Sequence, residues 1–282
     1  MNKALFGYKN DTIKSNTVAS IIQDVLTCNV YSVQKEYTKD SILTFIINIK
    51  NTGNEIIKNA IIVDDLSIYE YNGKKLNQIS YIENSALLFI NGEEKNIKPK
   101  YTNELIFDNL FIPEKGIVTI VYQVKVTQYA YLDTQSQIES HISIKGEDII
   151  KEIKLNNIIK VEEKEDLKIE KRIEPIPLVS KSEIKITYQL LNYGNVDASS
   201  QDAGLFIDTF NPIIKNIKVE QNNTNLIQNS YSYNQTNGLF QINKGIITVP
   251  KAKFIQTVEG DILIEPGVTE LVISGRLWFV II

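Results

Sequence analysis

The sequence contains very little of the side-chain chemistry on which most enzymes and metal sites depend. Its 282 residues include one cysteine, one histidine, one methionine and one tryptophan. A single cysteine excludes an intramolecular disulfide and any multi-cysteine metal site, and a single histidine cannot complete a zinc site with histidine or cysteine neighbours in this chain. A Gly-rich phosphate loop, a Gly-x-Ser-x-Gly elbow and a His-Glu-x-x-His motif are also missing from the sequence. We therefore predict no catalytic residues, no cofactor and no metal.

Three sets of residues have to be weighed against this prediction. His141 lies on an alternating stretch, where a surface or half-buried histidine is a more common interpretation than a catalytic base. Nothing near Cys28 in the sequence lowers its pKa, which favours a small buried or interfacial residue over a nucleophile and leaves an intermolecular disulfide as an alternative. Asp64, Asp65 and Asp208 offer carboxylate oxygens to calcium. They are too few to complete a calcium site, and acidic residues at strand ends are usually solvated turns.

The charge balance is close to neutral, and long hydrophobic runs are missing. Thirty basic and 34 acidic residues give a net charge of −4, which predicts neither nucleic acid nor an anionic membrane as a partner. The longest apolar runs, such as Leu277–Ile282, are far too short to span a bilayer. Residues 1–11 lack the apolar core of a secretory signal peptide, so we expect the chain, in the form given, to be made in the cytoplasm.

Strand-forming residues that alternate with polar ones dominate the chain. Hydrophobic residues make up 43 % and charged residues 23 % of the sequence, which is a globular composition. Ile42–Ile49 is rich in β-branched and aromatic residues, and it runs into Asn51-Thr52-Gly53-Asn54, whose residues tolerate positive φ and predict a chain reversal. Asn91-Gly92 predicts a hairpin turn. Many short strands between turn residues predict an all-β fold built from β-sandwiches.

The turn motif occurs twice in the chain. Asn192-Tyr193-Gly194-Asn195 repeats it at 192 − 51 = 141 positions further on, which predicts two copies of one domain. The charged segment 162–166 is the predicted boundary, because such polar runs are usually solvated. The predicted division is an amino-terminal strand segment (1–24), a first β-sandwich repeat (25–161) and a second β-sandwich repeat (162–282).

These motifs resemble the bacterial surface "conserved repeat domain", a family long described as a domain of unknown function. The first copy carries the pattern at Asn51–Asn54, Val63-Asp64-Asp65-Leu66, Asn91-Gly92 and Pro113–Gly116. The second copy carries a looser form of it, at Asn192–Asn195 (with Tyr193 in place of threonine), Ile207-Asp208 and Pro266-Gly267. The resemblance implies two tandem immunoglobulin-like sandwiches, a structural or adhesive role on bacterial exteriors and no established catalysis. The family's usual signal peptide and wall-anchoring tail are not seen in this sequence, which favours a spore coat assembled from proteins made in the mother cell, with a clostridial-type coat protein as the candidate.

The two copies differ at their carboxy-terminal ends. The first continues beyond its long strand into a closing pair that ends at Val161, whereas the second reaches Ile282 directly after its long strand. The 141-residue offset places Asn16, near the amino terminus, on Asn157 of that closing pair. We predict that amino-terminal strands complete the second sandwich, either in cis as a circular permutation or in trans by strand addition to another molecule. The alternative is that residues 4–34 pack on the first domain and the second is a trimmed sandwich.

The predicted assembly residues form a strand donor and an acceptor edge. The donor residues are Asn16, Thr17, Val18, Ala19, Ser20 and Ile21. The acceptor edge is predicted on the last long strand, at Leu271, Ile273, Leu277 and Phe279. Head-to-tail contacts of this kind build rings, filaments or sheets.

The sequence therefore predicts a non-catalytic structural protein that self-assembles into a bacterial surface layer, with the spore coat as the predicted location. Its predicted partners are copies of itself, in a head-to-tail oligomer or polymer, and other coat or surface proteins. The alternative function is an adhesin or recognition module that binds a carbohydrate or protein ligand through its loops.

Overall fold

A computed structural model describes the chain at residues 5–8, 11–14, 25–176, 181–198 and 205–278, the first two of these ranges by their backbone alone. Within these ranges the backbone forms β-strands, turns and one short 3-10 helix at Gln228–Ser230, with no α-helix. The described ranges accordingly hold no helix of the length and apolarity needed to cross a membrane.

The first two strands form a small hairpin, and the next fourteen form the first sandwich. The hairpin consists of β1 (Leu5–Tyr8) and β2 (Asp11–Lys14), which pair only with each other among the described residues. The strands of the first sandwich are β3 (Leu26–Ser32), β4 (Glu36–Tyr37), β5 (Ile42–Asn51), β6 (Ile57–Asp64), β7 (Ile68–Tyr71), β8 (Lys74–Asn77), β9 (Ile79–Tyr81), β10 (Leu87–Ile90), β11 (Glu93–Lys95), β12 (Lys100–Tyr101), β13 (Leu105–Ile112), β14 (Ile117–Val126), β15 (Gln137–Lys145) and β16 (Ile153–Val161).

The remaining strands belong to the second half of the chain. They are β17 (Leu167–Glu174), β18 (Glu183–Asn192), β19 (Phe206–Thr209), β20 (Ile213–Gln221), β21 (Thr224–Asn225), β22 (Tyr231–Tyr233), β23 (Leu239–Ile242), β24 (Lys253–Gln256), β25 (Ile262–Glu265) and β26 (Gly267–Trp278).

Two facing sheets enclose the core of the first sandwich. One has the strand order β11-β10-β14-β5-β3, with β9 on the end of β14, and the other has the order β12-β13-β6-β15-β16-β4. Alternation along each strand turns apolar side chains inward, as on β5, where every second residue is buried. Phe45, Ile62, Phe107 and Tyr122 meet between the sheets with no exposed surface.

The second sandwich has its own core between two smaller sheets. Their strand orders are β17-β18-β26-β20-β21 and β19-β23-β22. Tyr188, Phe206, Phe240 and Leu271 are buried between them. The predicted all-β fold with two tandem immunoglobulin-like β-sandwiches is therefore confirmed.

The repeated turn motif is built in the same way in both sandwiches. The Asn51 side chain accepts the Gly53 N–H (2.9 Å) and donates to the carbonyls of Glu55 and Pro113 (2.8 and 3.0 Å). Asn192 likewise accepts the Gly194 N–H at 2.9 Å and donates to a carbonyl four residues on. Both asparagines are fully buried. The predicted chain reversal is correct, but its predicted cause is wrong, since no residue of either turn has a positive φ and a buried asparagine side chain holds the bend.

The two sandwiches are stacked end to end at residues 162–166. The side chains of residues 163–166 are exposed, but the backbone is not a free linker. Asn195 donates from its side chain to the carbonyls of Leu132 and Glu162 (both 3.0 Å), and its backbone N–H donates to Lys164 O (3.1 Å). A Cβ on Gly194 would lie 2.1 Å from Lys164 O, so the turn can approach this segment only with glycine at that position. The expectation of a solvated linker is therefore wrong for its backbone.

A hairpin of the second half also reaches the first sandwich, a contact that the sequence analysis did not predict. This hairpin, β24–β25, places Phe254 and Ile264 against the first core. The Ile262 N–H donates to Gln128 O (2.8 Å), and the Gln256 side chain donates to the Tyr69 hydroxyl (3.0 Å). The hairpin thus links the two sandwiches through apolar and polar contacts.

Candidate functional site

The two sandwiches have the same strand order in one sheet, and in the facing sheet they differ on one side. In one sheet, β21-β20-β26-β18-β17 of the second sandwich follows the order β11-β10-β14-β5-β3 of the first. In the facing sheet, β22-β23-β19 follows β12-β13-β6. There the first sandwich continues with β15, β16 and β4, whereas no strand of the described residues lies beyond β19. This sheet of the second sandwich therefore lacks counterparts of β15 and β16 within the described chain.

The missing strands leave one edge of β19 open. Phe210 N–H donates to Gly238 O (2.9 Å) at the end of the β19–β23 ladder, in which Asp208 pairs with Phe240. Because hydrogen-bonded pairs alternate in an antiparallel ladder, the N–H and C=O of Ile207 point away from β23. Ile207 is 53 % exposed. Within the described residues, this edge is the kind of unpaired template that accepts another strand.

The amino-terminal part of the inner face of β17 is also left uncovered by the described residues. The register of β3 on β5 and of β17 on β18 makes Leu167 and Ile169 the counterparts of Leu26 and Cys28. Leu26 and Cys28 pack against the first core, on the side of the sandwich where β16 lies. In contrast, Leu167 is 59 % exposed and Ile169 is 54 % exposed. We call the surface formed by the β19 edge and the inner face of β17 the acceptor groove.

A carboxylate marks the same position in both sandwiches. Asp64 ends β6 and is fully buried, where it accepts hydrogen bonds from the hydroxyls of Tyr122 (2.5 Å) and Ser140 and from the Leu66 N–H. Burial raises the pKa of Asp64 to about 6, although these hydrogen bonds act in the opposite direction. Burial and the neighbouring carboxylate also raise the pKa of Tyr122 well above its ordinary value.

Asp208 is the counterpart of Asp64 on β19, but its surroundings are more open. It accepts a hydrogen bond from the Tyr188 hydroxyl and pairs with Lys171 Nζ at 2.5 Å. Burial alone would raise the pKa of Asp208, but the hydrogen bonds from Lys171 and Tyr188 outweigh it and hold the pKa below its ordinary value. Lys171 thus contacts Asp208 in the second sandwich. In the first sandwich, the hydroxyl of Ser140, from β15, instead helps to seal the counterpart Asp64.

The predicted acceptor edge on the last long strand is wrong. That strand, β26, lies in the middle of its sheet, between β18 and β20. Leu271 pairs with Tyr188 on one side and Gln221 on the other, and Ile273 is flanked by β18 and β20 in the same way. Leu277 pairs with β20 and exchanges backbone hydrogen bonds with residues 181 and 182. Phe279 and the predicted donor residues Asn16–Ile21 lie outside the described residues.

The remaining candidate residues are separated from one another. His141 is exposed on β15, with Nδ1 2.9 Å from an Asp65 carboxylate oxygen. Burial raises the pKa of the half-buried Cys28 to about 11, which keeps it a protonated, weakly nucleophilic thiol at neutral pH. The calcium alternative is wrong for its three carboxylates, because Asp64 is sealed in one core and Asp208 lies in the other sandwich. The described residues hold no group of three His, Cys, Asp or Glu placed to bind a metal ion.

Sequence reasoning missed the β19 edge, although a signal for it was present. Val63-Asp64 and Ile207-Asp208 are similar dipeptides, and they lie 208 − 64 = 144 positions apart. This pairing would have placed Ile207 on a strand whose counterpart is covered by β15. The sheet order needed to use that signal depends on contacts that are distant in sequence.

Sequence comparisons identify no relatives of this chain. No family model matches it, and no curated protein matches it in sequence. The resemblance to the conserved repeat domain therefore stays a prediction.

Several solved structures are similar to it at low levels. BcpA, the major pilin subunit of Bacillus cereus, matches 96 % of this chain and 74 % of its own, with 9 % identity and a TM-score of 0.36. ACE19, the collagen-binding subdomain of the Enterococcus faecalis surface protein ACE, matches 50 % of this chain and 99 % of its own, with 10 % identity and a TM-score of 0.32. A family 123 glycoside hydrolase from Clostridium perfringens matches 49 % of this chain and 27 % of its own, with 11 % identity and a TM-score of 0.32. Likeness at this level assigns no function to this chain.

Proposed function

We propose that this protein is a non-catalytic structural subunit that self-assembles into a bacterial surface layer by strand addition between copies. The observation that supports this function is the acceptor groove, since the second sandwich repeats the first but lacks the counterparts of β15 and β16 in the described residues. An open strand edge beside exposed apolar side chains is a surface that native proteins normally cover.

The chain offers a covering strand of suitable sequence in its amino-terminal segment. The correspondence of Asn16 with Asn157 makes residues 16–21 a counterpart of β16. In β16, Asn157 and Ile159 are buried, whereas Ile158 is exposed. The same alternation assigns Val18 to the buried face of a docked strand and Thr17 to its exposed face.

Assembly by strand addition fits a structural role better than a catalytic one. The contact would join different surfaces of two identical molecules, and such heterologous contacts propagate into rings, filaments or sheets. We propose the spore coat as the location, on the basis of the motif resemblance, with other coat or surface proteins as further partners.

Electron microscopy and sedimentation velocity of the purified chain test this function. We expect the full chain to form regular assemblies and a chain without residues 1–24 to stay dispersed. Val18→Asp should also prevent assembly, because it would place a charge on the buried face of the docked strand, whereas the matched variant Thr17→Asp should assemble. A full chain that stays monomeric at all concentrations would contradict the proposal. A monomer that is stabilised by a carbohydrate or protein ligand would instead identify a recognition module.

A further inference from the structure

The structure also indicates which molecule fills the acceptor groove and in what form. We propose that the amino-terminal hairpin β1–β2 of a second copy docks on the β19 edge, in trans. This inference rests on the proposed function and deepens it, because it makes β2 and residues 16–21 one docked strand, places β1 between that strand and β19, and so gives the connectivity of the assembly.

The hairpin β1–β2 has the same form as the pair of strands that is missing beside β19. In the first sandwich, the position beside β6 is occupied by a hairpin, β15–β16, whose strands pair antiparallel with each other. Only four residue pairs join β15 to β6, from Ile142 opposite Asp64 to Lys145 opposite Ile61. The strand β1 has four residues and β19 has four, so their lengths allow the same ladder. Among the described residues, β1–β2 pairs with no other strand.

The amino-terminal segment leaves the first sandwich at the end that is remote from the second. Val25 O accepts hydrogen bonds from the N–H (2.7 Å) and the hydroxyl (2.9 Å) of Thr52, beyond the last residue of β5. The second sandwich contacts the opposite end, where the Ile262 N–H donates to the carbonyl of Gln128, two residues beyond the last residue of β14. The full length of β5 therefore separates Val25 from the junction.

The length of the segment argues against docking in cis. The ten residues of β5 span about 33 Å at the usual rise of a strand. Asp208 contacts Tyr188, which lies four residues beyond the Asn192 turn along β18 and adds about 13 Å. Because residues 16–21 belong to the docked strand, only residues 22–24 connect that strand to Val25, and these span at most about 14 Å when fully extended. The first sandwich alone accounts for about 33 Å of the path, so the docked strand falls short of the groove of its own chain by at least about 20 Å, whereas the groove of another copy is accessible.

The resulting contact is directional. Each molecule presents its hairpin at the free end of the first sandwich and its acceptor groove on the second sandwich. The two surfaces differ and lie in opposite halves of the molecule, so each added copy leaves one groove and one hairpin unoccupied until the assembly closes or ends. The chemistry that recognises the partner is an antiparallel β-ladder at Ile207, supplemented by apolar contact with Leu167 and Ile169.

Cross-linking between two different single-cysteine chains tests this inference. In a Cys28→Ser background, Phe6→Cys is placed in β1 of one chain and Ile207→Cys in the acceptor strand of a second chain that carries a size tag. We expect a short bismaleimide to produce a tagged–untagged heterodimer from the mixture. The matched control is Ile158→Cys in place of Ile207→Cys, which is similarly exposed (49 % against 53 %) but lies on the filled hairpin and should give no heterodimer.

The outcomes separate this inference from the proposed function. A chain that carries both Phe6→Cys and Ile207→Cys, diluted until it is dispersed, should give no intramolecular cross-link. If it cross-links within one molecule and the mixture gives no heterodimer, docking occurs in cis and the inference is overturned. If the full chain forms regular assemblies but neither experiment gives a product, the assembly function stands and β19 is not the acceptor. A chain that never assembles overturns both.

Discussion

The buried asparagines Asn51 and Asn192 each hold a turn through one side chain that both donates and accepts. A buried side-chain amide without hydrogen-bond partners destabilises the fold. Buried backbone groups that lose their hydrogen bond to such an amide also destabilise it. In each sandwich the asparagine ties its own turn to a neighbouring loop, because one of its bonds goes to Pro113 O in the first and one to Val249 O in the second. The repeated residue is therefore a structural element of the fold.

We predict that Asn51→Ala destabilises the first sandwich by roughly 2–4 kcal/mol, because it leaves the Gly53 N–H and two carbonyls without their partner. Urea denaturation followed by circular dichroism measures the effect as a lower transition midpoint. Asn54→Ala, an exposed asparagine in the same turn, is the matched control and should change the midpoint little. Equal midpoints for the two variants would show that the amide does not hold the turn.

Asp64 gives the first sandwich a defined pH dependence. In the folded state its pKa is raised to about 6, whereas the ordinary value is 3.8. Between these values the folded chain retains a proton that the unfolded chain has lost, so the contribution of Asp64 to stability is complete below about pH 4 and is lost as the pH rises to about 6. Two pKa units correspond to roughly 3 kcal/mol.

We therefore predict that the unfolding free energy of the wild type falls by up to about 3 kcal/mol, relative to Asp64→Asn, between pH 4 and pH 7. The comparison uses the change in unfolding free energy with pH, so any pH-independent destabilisation caused by the asparagine cancels. Urea titrations at four or five pH values measure it. Parallel curves for the two proteins would mean that Asp64 ionises in the folded state as easily as in the unfolded state.

At the scale of the strand, β19 differs from its counterpart β6 in having one edge, not two, paired with another strand of the described residues. A strand edge binds another strand through hydrogen bonds from its backbone N–H and C=O groups. Strand addition at β19 therefore depends on a backbone N–H and not on a side chain. Proline removes that N–H and is tolerated where it costs no existing ladder bond. The alternation of the β19–β23 ladder places Ile207 at such a position.

We predict that Ile207→Pro prevents assembly while the dispersed protein keeps its circular dichroism spectrum and its urea midpoint within experimental error. Ile207→Thr is the matched control, since it removes apolar surface but keeps the N–H and a β-branched side chain. It should weaken assembly without abolishing it. Assemblies of Ile207→Pro with normal morphology in the electron microscope would show that no strand is added at this edge.

The elements also show which features of the fold could be predicted from the sequence. The alternation along β5 and the hairpin at Asn91-Gly92, where both residues have positive φ, are local patterns. These patterns predict the all-β fold, and the repeated turn at Asn51 and Asn192 predicts the two copies. The acceptor edge was misplaced because β26, although last in the chain, pairs on both sides in the sheet. Sheet order arises from pairings between strands that are distant in sequence, such as β20 with β26, and no local pattern encodes it.

At the scale of the whole molecule, the hairpin β24–β25 supplies an apolar contact between the two sandwiches. A subunit that passes load along an assembly must transmit it across the junction at residues 162–166. Phe254 and Ile264 leave their own sandwich and pack against the first core, and Lys251 pairs with Asp133 across the same junction at 2.9 Å. The exposed ion pair contributes little, so the apolar contact accounts for most of the coupling.

We predict that Phe254→Ala uncouples the sandwiches, so that urea denaturation resolves two transitions where the wild type shows one. Truncation of a half-buried phenylalanine at a domain contact should cost roughly 1–3 kcal/mol of coupling. Ile255→Ala is the matched control on the same strand, because Ile255 is exposed and faces away from the first core. Small-angle scattering should show a larger radius of gyration for Phe254→Ala alone. If both variants keep a single transition and the wild-type radius, the polar contacts at Asn195 and Gln256 are sufficient to fix the two sandwiches.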